Sequence, residues 1–187
     1  MKIKKVIRST INQKYFFAEG SLDINANYFI QQIEKGINEN NNANYKTHVR
    51  GKMTSQHYFV RDNEFIKLIL PMLDYIDQTN FDFSDPTISW SHPSYYLREA
   101  WGYKEGFGDY TREHSHGVCW LSGVIYLNKH HQKLIFPQIN KEVTPEKGTF
   151  VLFSPFLLHK TKRNITKKSK YGISFNWYTD SGIFDSL

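Results

Sequence analysis

From Thr87 to Tyr178 the chain is written in short segments rich in aromatic and β-branched residues, and this texture limits the fold more than any other feature. The segments are Thr87–Trp90, Tyr95–Tyr103, Leu121–Asn128, Lys133–Phe136, Thr149–Phe153 and Tyr171–Tyr178, separated by Gly, Pro, Asn and His. Such runs bounded by turn residues read as strands. Before them lies a different pattern. A strand from Ile3 to about Ile11 and the run Tyr15-Phe16-Phe17 precede a helical stretch in which Asp23 or Asn25 can cap and Ile24, Tyr28, Ile30, Ile33 and Ile37 form a stripe that the Asn-rich stretch after Gly36 ends. The segment Asn40 to Gln56 reads as a surface loop. Asp62 then caps a second helix carrying Phe65, Leu68, Ile69, Met72, Leu73 and Ile76, with Pro71 as a point of kinking. Strands following helices, without βαβ alternation, indicate an α+β fold. Its core is expected to be a double-stranded β-helix, or jelly roll, which closes most of its edges and leaves a mouth for a ligand. The helices are its buttresses. The expected organisation is one domain over 1–187, a helical and loop-rich part over 1–86 and the jelly-roll core over 87–187.

Within the strand region stands His114-Ser115-His116. Alternate residues of an extended strand share a face, so the two imidazoles can address one divalent metal. A third ligand must come from elsewhere, and His159 ends the mostly apolar run that starts at Gly148. Taken alone, an H-x-H motif is equally the mark of scattered core or surface histidines; the surrounding pattern is what favours a site.

Composition excludes several classes. With 40% hydrophobic and 16% aromatic residues in 187, the chain has the material for a packed core. Its one cysteine, Cys119, rules out an internal disulfide and a thiolate cluster, and fits a reducing cytoplasm. The amino terminus lacks the apolar run of a signal peptide, and no stretch reaches the length of a membrane helix, so a cytoplasmic protein with no membrane partner is expected. The net charge of +6 raises the question of nucleic acid, as does the basic run from Lys160 to Lys170. No nucleic-acid-binding signature accompanies that run, which reads first as a solvated loop. Cys119 has no nucleophile partner in evidence, and no phosphate-binding glycine loop is present. Three imidazoles also suit zinc, which leaves a hydrolase as an alternative.

Several motifs in order carry a resemblance. Trp101, Gly108-Asp109-Tyr110, His114-Ser115-His116, Leu121 to Leu127, Phe136-Pro137, Pro145, Gly148, Phe153 to His159 and Tyr171 to Asn176 together resemble the 2-oxoglutarate- and Fe(II)-dependent oxygenases of bacteria and their phages, relatives of the prolyl 4-hydroxylases. The resemblance covers roughly Trp101 to Trp177. It implies Fe(II), 2-oxoglutarate and O2 as cofactor and co-substrates, and a hydroxylation that releases succinate and CO2. It implies His114, His116 and His159 as metal ligands and catalytic residues. The family's usual motif has a carboxylate where this chain has His116; the other reading is that one of the pair ligates and Asp109 or Glu113 completes the set. The resemblance further implies a cation for the distal carboxylate of 2-oxoglutarate on the strand after the last histidine. Lys170 stands there, with Tyr126, and less directly Ser174, as hydroxyl donors and Asn176 on the same face; Arg163 is the alternative cation. Trp101, Tyr103, Phe107 and Tyr110 would line the mouth. A substrate protein or peptide is expected first, nucleic acid second and a small metabolite third; a phage-encoded enzyme would act in the host cytoplasm. The non-enzymatic alternative is a cupin-like metal-binding recognition module. The oligomeric state is open.

Overall fold

The structure is a computed structural model that describes residues 1–11, 13–39, 48–78, 95–117 and 119–179, and for 3–11, 13–14, 77–78 and 179 it describes the backbone alone. Its elements are β1 (Lys2–Ile11), β2 (Gln13–Ser21), α1 (Ala26–Glu39), β3 (Val49–Arg50), β4 (Lys52–Met53), α2 (Asn63–Gln78), β5 (Tyr95–Glu105), β6 (Tyr110–Thr111), β7 (Leu121–Tyr126), β8 (Leu134–Phe136), β9 (Lys141–Val143), β10 (Thr149–Phe153), β11 (Lys160–Thr161) and β12 (Lys170–Thr179). The expected strand at Thr87–Trp90 lies outside the described residues.

Both helices begin where a side chain can satisfy an orphan amide. Asn25 Oδ1 accepts from the Tyr28 N–H at 3.3 Å and Asp62 Oδ1 from the Phe65 N–H at 2.8 Å. α1 ends at Glu39, inside the Asn-rich stretch, and Gly36 near its end is buried against Tyr58 and Thr54, where a Cβ would collide at 2.7–2.8 Å. Its buried face is Ala26, Phe29 and Ile33, a slightly rotated version of the expected stripe in which Tyr28, Ile30 and Ile37 are only partly covered. α2 continues through Pro71 to Gln78. The stretch read as a loop before Gln56 contains the two short strands β3 and β4.

The strands form a seven-stranded sheet in the order β1-β2-β10-β7-β12-β5-β4, a three-stranded sheet β11-β8-β9, and the pair β3-β6, with every ladder antiparallel. The large sheet thus draws two strands from before the first helix. Period-2 alternation divides its side chains cleanly. Leu121, Ile125, Phe150, Leu152, Ile173, Phe175 and Trp177 face α1 and α2 and join Phe29, Ile33, Phe65 and Met72 in one core cluster. Val124, Tyr126, Val151, Phe153 and Tyr103 face the other way and pack with Phe136, Leu134 and Val143 of the small sheet in a second. Gly148, at φ +80°, closes the β9–β10 turn against Leu22, whose carbonyl would lie 2.1 Å from a Cβ there. These two opposed layers form the sandwich that the strand pattern implied, with helices on the outer face. The inner face is where the histidines gather.

Candidate metal centre

His114 and His159 are brought together by the backbone. They form an antiparallel bridge, His114 N–H donating to the His159 carbonyl at 3.1 Å and His159 N–H to the His114 carbonyl at 2.9 Å. His116 N–H donates to the Pro155 carbonyl at 2.7 Å, which ties the same segment to the turn after β10. Only Ser115 separates the two histidines of the motif, and alternate residues of an extended segment share a face. His114 and His116 therefore turn inward together with ring centroids 5.3 Å apart, and each lies within 5.0 Å of the His159 ring. One ring nitrogen from each lies within 4.8 Å of the others.

The hydrogen bonds say which nitrogen is free. His114 Nδ1 lies 2.8 Å from the Arg112 carbonyl and His159 Nδ1 3.0 Å from the Leu157 carbonyl. A carbonyl only accepts, so both Nδ1 atoms carry protons and both Nε2 atoms keep a lone pair. His116 Nδ1 reaches the same state through a longer relay. Glu99 accepts from Asn176 Nδ2 at 2.7 Å, which turns Asn176 Oδ1 toward His116 Nδ1 at 2.8 Å; Ser122 Oγ touches His116 Nδ1 at 2.8 Å and donates to Asn176 Oδ1 at 2.9 Å. Three imidazoles gathered in one place and held through Nδ1–H, each with its Nε2 left as the free ligand atom, could hold a divalent metal ion. Burial, with the neighbouring rings adding to it, lowers the pKa of His114 to about 4; burial holds His159 well below its ordinary value and lowers His116 as well. Neutral imidazoles are what a metal needs. Phe153 and Phe136 wall the centre, at 4.8 and 5.7 Å from the His159 ring.

The carboxylate alternatives to His116 are engaged elsewhere. Asp109 Oδ2 accepts from Gly106 N–H at 2.8 Å and Glu113 pairs with Lys160 at 2.7 Å; among the described residues the cluster is histidine only.

Lys170, Ser174 and Asn176 share one face of β12, opposite Glu105, Trp101 and Glu99 of β5. Lys170 is 1% exposed, and its ammonium lies 2.5 Å from Glu105 Oε2 with the Tyr103 and Tyr126 rings at 5.7 and 5.9 Å. Burial lowers the Lys170 pKa, and the Glu105 charge opposes that. The Tyr103 and Tyr126 hydroxyls are hydrogen-bonded to each other, and burial raises both. Ser174 is half-buried on β12, across from Val124 of β7. Asn176, expected as a pocket lining, sits behind His116 with both ends of its amide committed. Arg163 is exposed and donates to the Gly108 carbonyl at 3.0 Å.

Four participants had no signal in the sequence. His48 stacks on His114 at 4.5 Å, Glu105 pairs with Lys170, and Ser122 and Glu99 orient His116 through Asn176. Only β-pairing reveals the last three.

No protein-family model matches the chain, and no curated protein matches it. Solved structures do resemble it. A viral collagen prolyl hydroxylase from Paramecium Bursaria Chlorella virus-1, in complex with 2-oxoglutarate, aligns over 87% of this chain and 94% of its own at 16% identity, TM-score 0.64. A Pseudomonas putida prolyl-4-hydroxylase aligns over 87% and 91% at 14% identity, TM-score 0.60. A Trichoplax adhaerens prolyl hydroxylase in complex with a hypoxia inducible factor oxygen degradation domain peptide aligns over 91% and 87% at 16% identity, TM-score 0.60. The chain has the jelly-roll fold of these 2-oxoglutarate- and Fe(II)-dependent oxygenases.

Proposed function

We propose that this protein is an Fe(II)- and 2-oxoglutarate-dependent dioxygenase that hydroxylates a protein side chain in the manner of a prolyl hydroxylase. The observation that carries the reading is the trio His114, His116 and His159, each fixed through Nδ1–H with Nε2 free. Fe(II) with 2-oxoglutarate and dioxygen supplies the oxidising chemistry, placing a hydroxyl on substrate carbon as 2-oxoglutarate becomes succinate and CO2.

This chain's residues would do the following. The three imidazoles hold the ion from one side and leave its other positions open. The Asn176–Glu99 relay keeps His116 in one tautomer. An ammonium has three donors, so Lys170, with one committed to Glu105, can still donate a hydrogen bond to the distal carboxylate of 2-oxoglutarate, assisted by the Tyr126 hydroxyl. Phe136 and Phe153 keep water from the buried side of His159. A peptide substrate is supported by the peptide held in the Trichoplax adhaerens hydroxylase. We assign residues 1–187 to one catalytic unit, and the buried free thiol of Cys119 supports a reducing, cytoplasmic setting. Among the described residues no helix is long and apolar enough to cross a membrane.

Adding 2-oxoglutarate to the anaerobic Fe(II) protein is expected to produce a visible charge-transfer absorption, and His159→Ala to lose both the absorption and succinate formation while staying folded. A parent protein that binds metal but shows neither would be a recognition module or a hydrolase.

A further inference from the structure

Beside the histidines lies a concentration of charge that the oxygenase chemistry does not use. β3 pairs with β6 so that Arg50 stands across from Tyr110. Arg112, whose carbonyl holds His114, extends that strand pair through its N–H to the His48 carbonyl at 2.9 Å. Arg163 enters from the loop after β11 and lays its guanidinium 4.4 Å from the centre of the Tyr110 ring. All three arginines are exposed. Arg112 hydrogen-bonds the Tyr110 hydroxyl and lowers its pKa, and Arg163 and Arg50 act in the same direction. Among the described residues no carboxylate lies within ion-pair distance of any of the three. Asp109, next to Tyr110, spends its carboxylate on the Gly106 N–H. Guanidinium groups gathered around one ring repel one another, and a bound anion reverses that. Each presents a planar fork that matches a carboxylate.

Resting on the oxygenase reading above, we propose that Arg50, Arg112 and Arg163 form an anion-recognition surface at the mouth of the histidine site, and that the substrate polypeptide carries acidic side chains close to the residue that is hydroxylated. Arg112 precedes His114 by two residues, roughly 7 Å of extended chain, so the acidic positions fall within a few residues of the target. Lys160 is neutralised by Glu113 at 2.7 Å, Lys133 by Glu142 at 2.8 Å and Lys129 by Glu146 at 3.0 Å, whereas the exposed Lys162, Lys167 and Lys168 form no ion pair among the described residues; what favours a peptide over a nucleic-acid strand is the state of the aromatic ring. One face of Tyr110 is covered by Arg163, whereas a strand of nucleic acid needs repeated cations and open rings for its bases.

The test is fluorescence anisotropy on the full chain, anaerobic and loaded with Fe(II) and 2-oxoglutarate. The probes are a labelled proline-centred peptide flanked by Asp and Glu, its Asn and Gln counterpart, and a short oligothymidylate. The acidic peptide is expected to bind about tenfold more tightly than its amide counterpart at low salt, with the gap closing as salt rises. Arg112→Gln and Arg163→Gln, checked for folding by circular dichroism, should each weaken it about two- to fivefold, and Arg163→Lys should recover part of the loss. Equal binding of the two peptides, no binding of the acidic one, or variants that bind it as the parent does would overturn the proposal. Tighter binding of oligothymidylate would overturn it too, by assigning the surface to phosphates. Because anisotropy requires no turnover, these outcomes are separate from loss of the 2-oxoglutarate absorption, which judges the oxygenase reading itself.

Discussion

Replacing Lys170 by Met separates the ion pair that the structure shows from the co-substrate contact proposed for the same side chain. Lys170 and Glu105 are opposite each other on β12 and β5, and their side chains are 2% and 0% exposed. Removing one member of a buried ion pair strands the other charge, which costs about 3–5 kcal/mol. At about 2–4 °C per kcal/mol for a chain of this size, the melting temperature of Lys170→Met should fall by roughly 6–20 °C. Glu105→Gln keeps an acceptor for the Thr111 hydroxyl, which donates to Glu105 Oε1 at 2.7 Å, and removes the stranded charge. Lys170→Met with Glu105→Gln should therefore recover most of the stability. It should not recover co-substrate binding. The distal carboxylate of 2-oxoglutarate would enter the same buried space without a cation, weakening its binding by about one to three powers of ten while leaving iron affinity unchanged. Thermal unfolding of the metal-free protein and calorimetric titration of 2-oxoglutarate into the anaerobic Fe(II) protein read the two effects separately, with Lys129→Met as the exposed control. A Lys170→Met protein within about 1 kcal/mol of the parent, the range of an exposed pair, would show that the pair is not a buried one. A double variant that bound 2-oxoglutarate as tightly as the parent would remove Lys170 from the co-substrate site.

His116→Asp should retain iron, since a carboxylate can replace the imidazole on that face, while His116→Leu should empty the site; metal analysis decides, and equal iron in His116→Leu would make that residue a bystander. Asn176→Ala removes one acceptor for His116 Nδ1–H and is expected to weaken metal binding about 10- to 100-fold with little change in unfolding temperature, measured by competition with a chelator. The pH dependence has a definite sign: with the His114 pKa lowered from 6.5 to about 4, the unfolded chain binds protons that the folded one refuses, so the metal-free protein should lose stability as pH falls from about 6.5 to about 4. Denaturant titrations across that range check this, and a flat profile would mean that the three rings are not held neutral by burial.

Much of this arrangement was legible in consecutive residues. The caps Asn25 and Asp62, the strand texture of β5, β7, β10 and β12, and the shared face of His114 and His116 are local properties, because a 3.6- or 2-residue period and a capping side chain act over a few positions. The separation of His159 from Lys170 was equally visible, though its meaning came from resemblance. What tertiary structure decided was partnership. β1 and β2 continue the large sheet beyond β10, Glu105 comes to lie across from Lys170, His48 stacks on His114, Asn176 clamps His116, and three arginines meet at Tyr110. None of these has a local signature. Each follows from strand order and register, which are set by the summed burial of both faces of the sheet, and a slip of one residue would turn Lys170, Ser174 and Asn176 away from the site altogether.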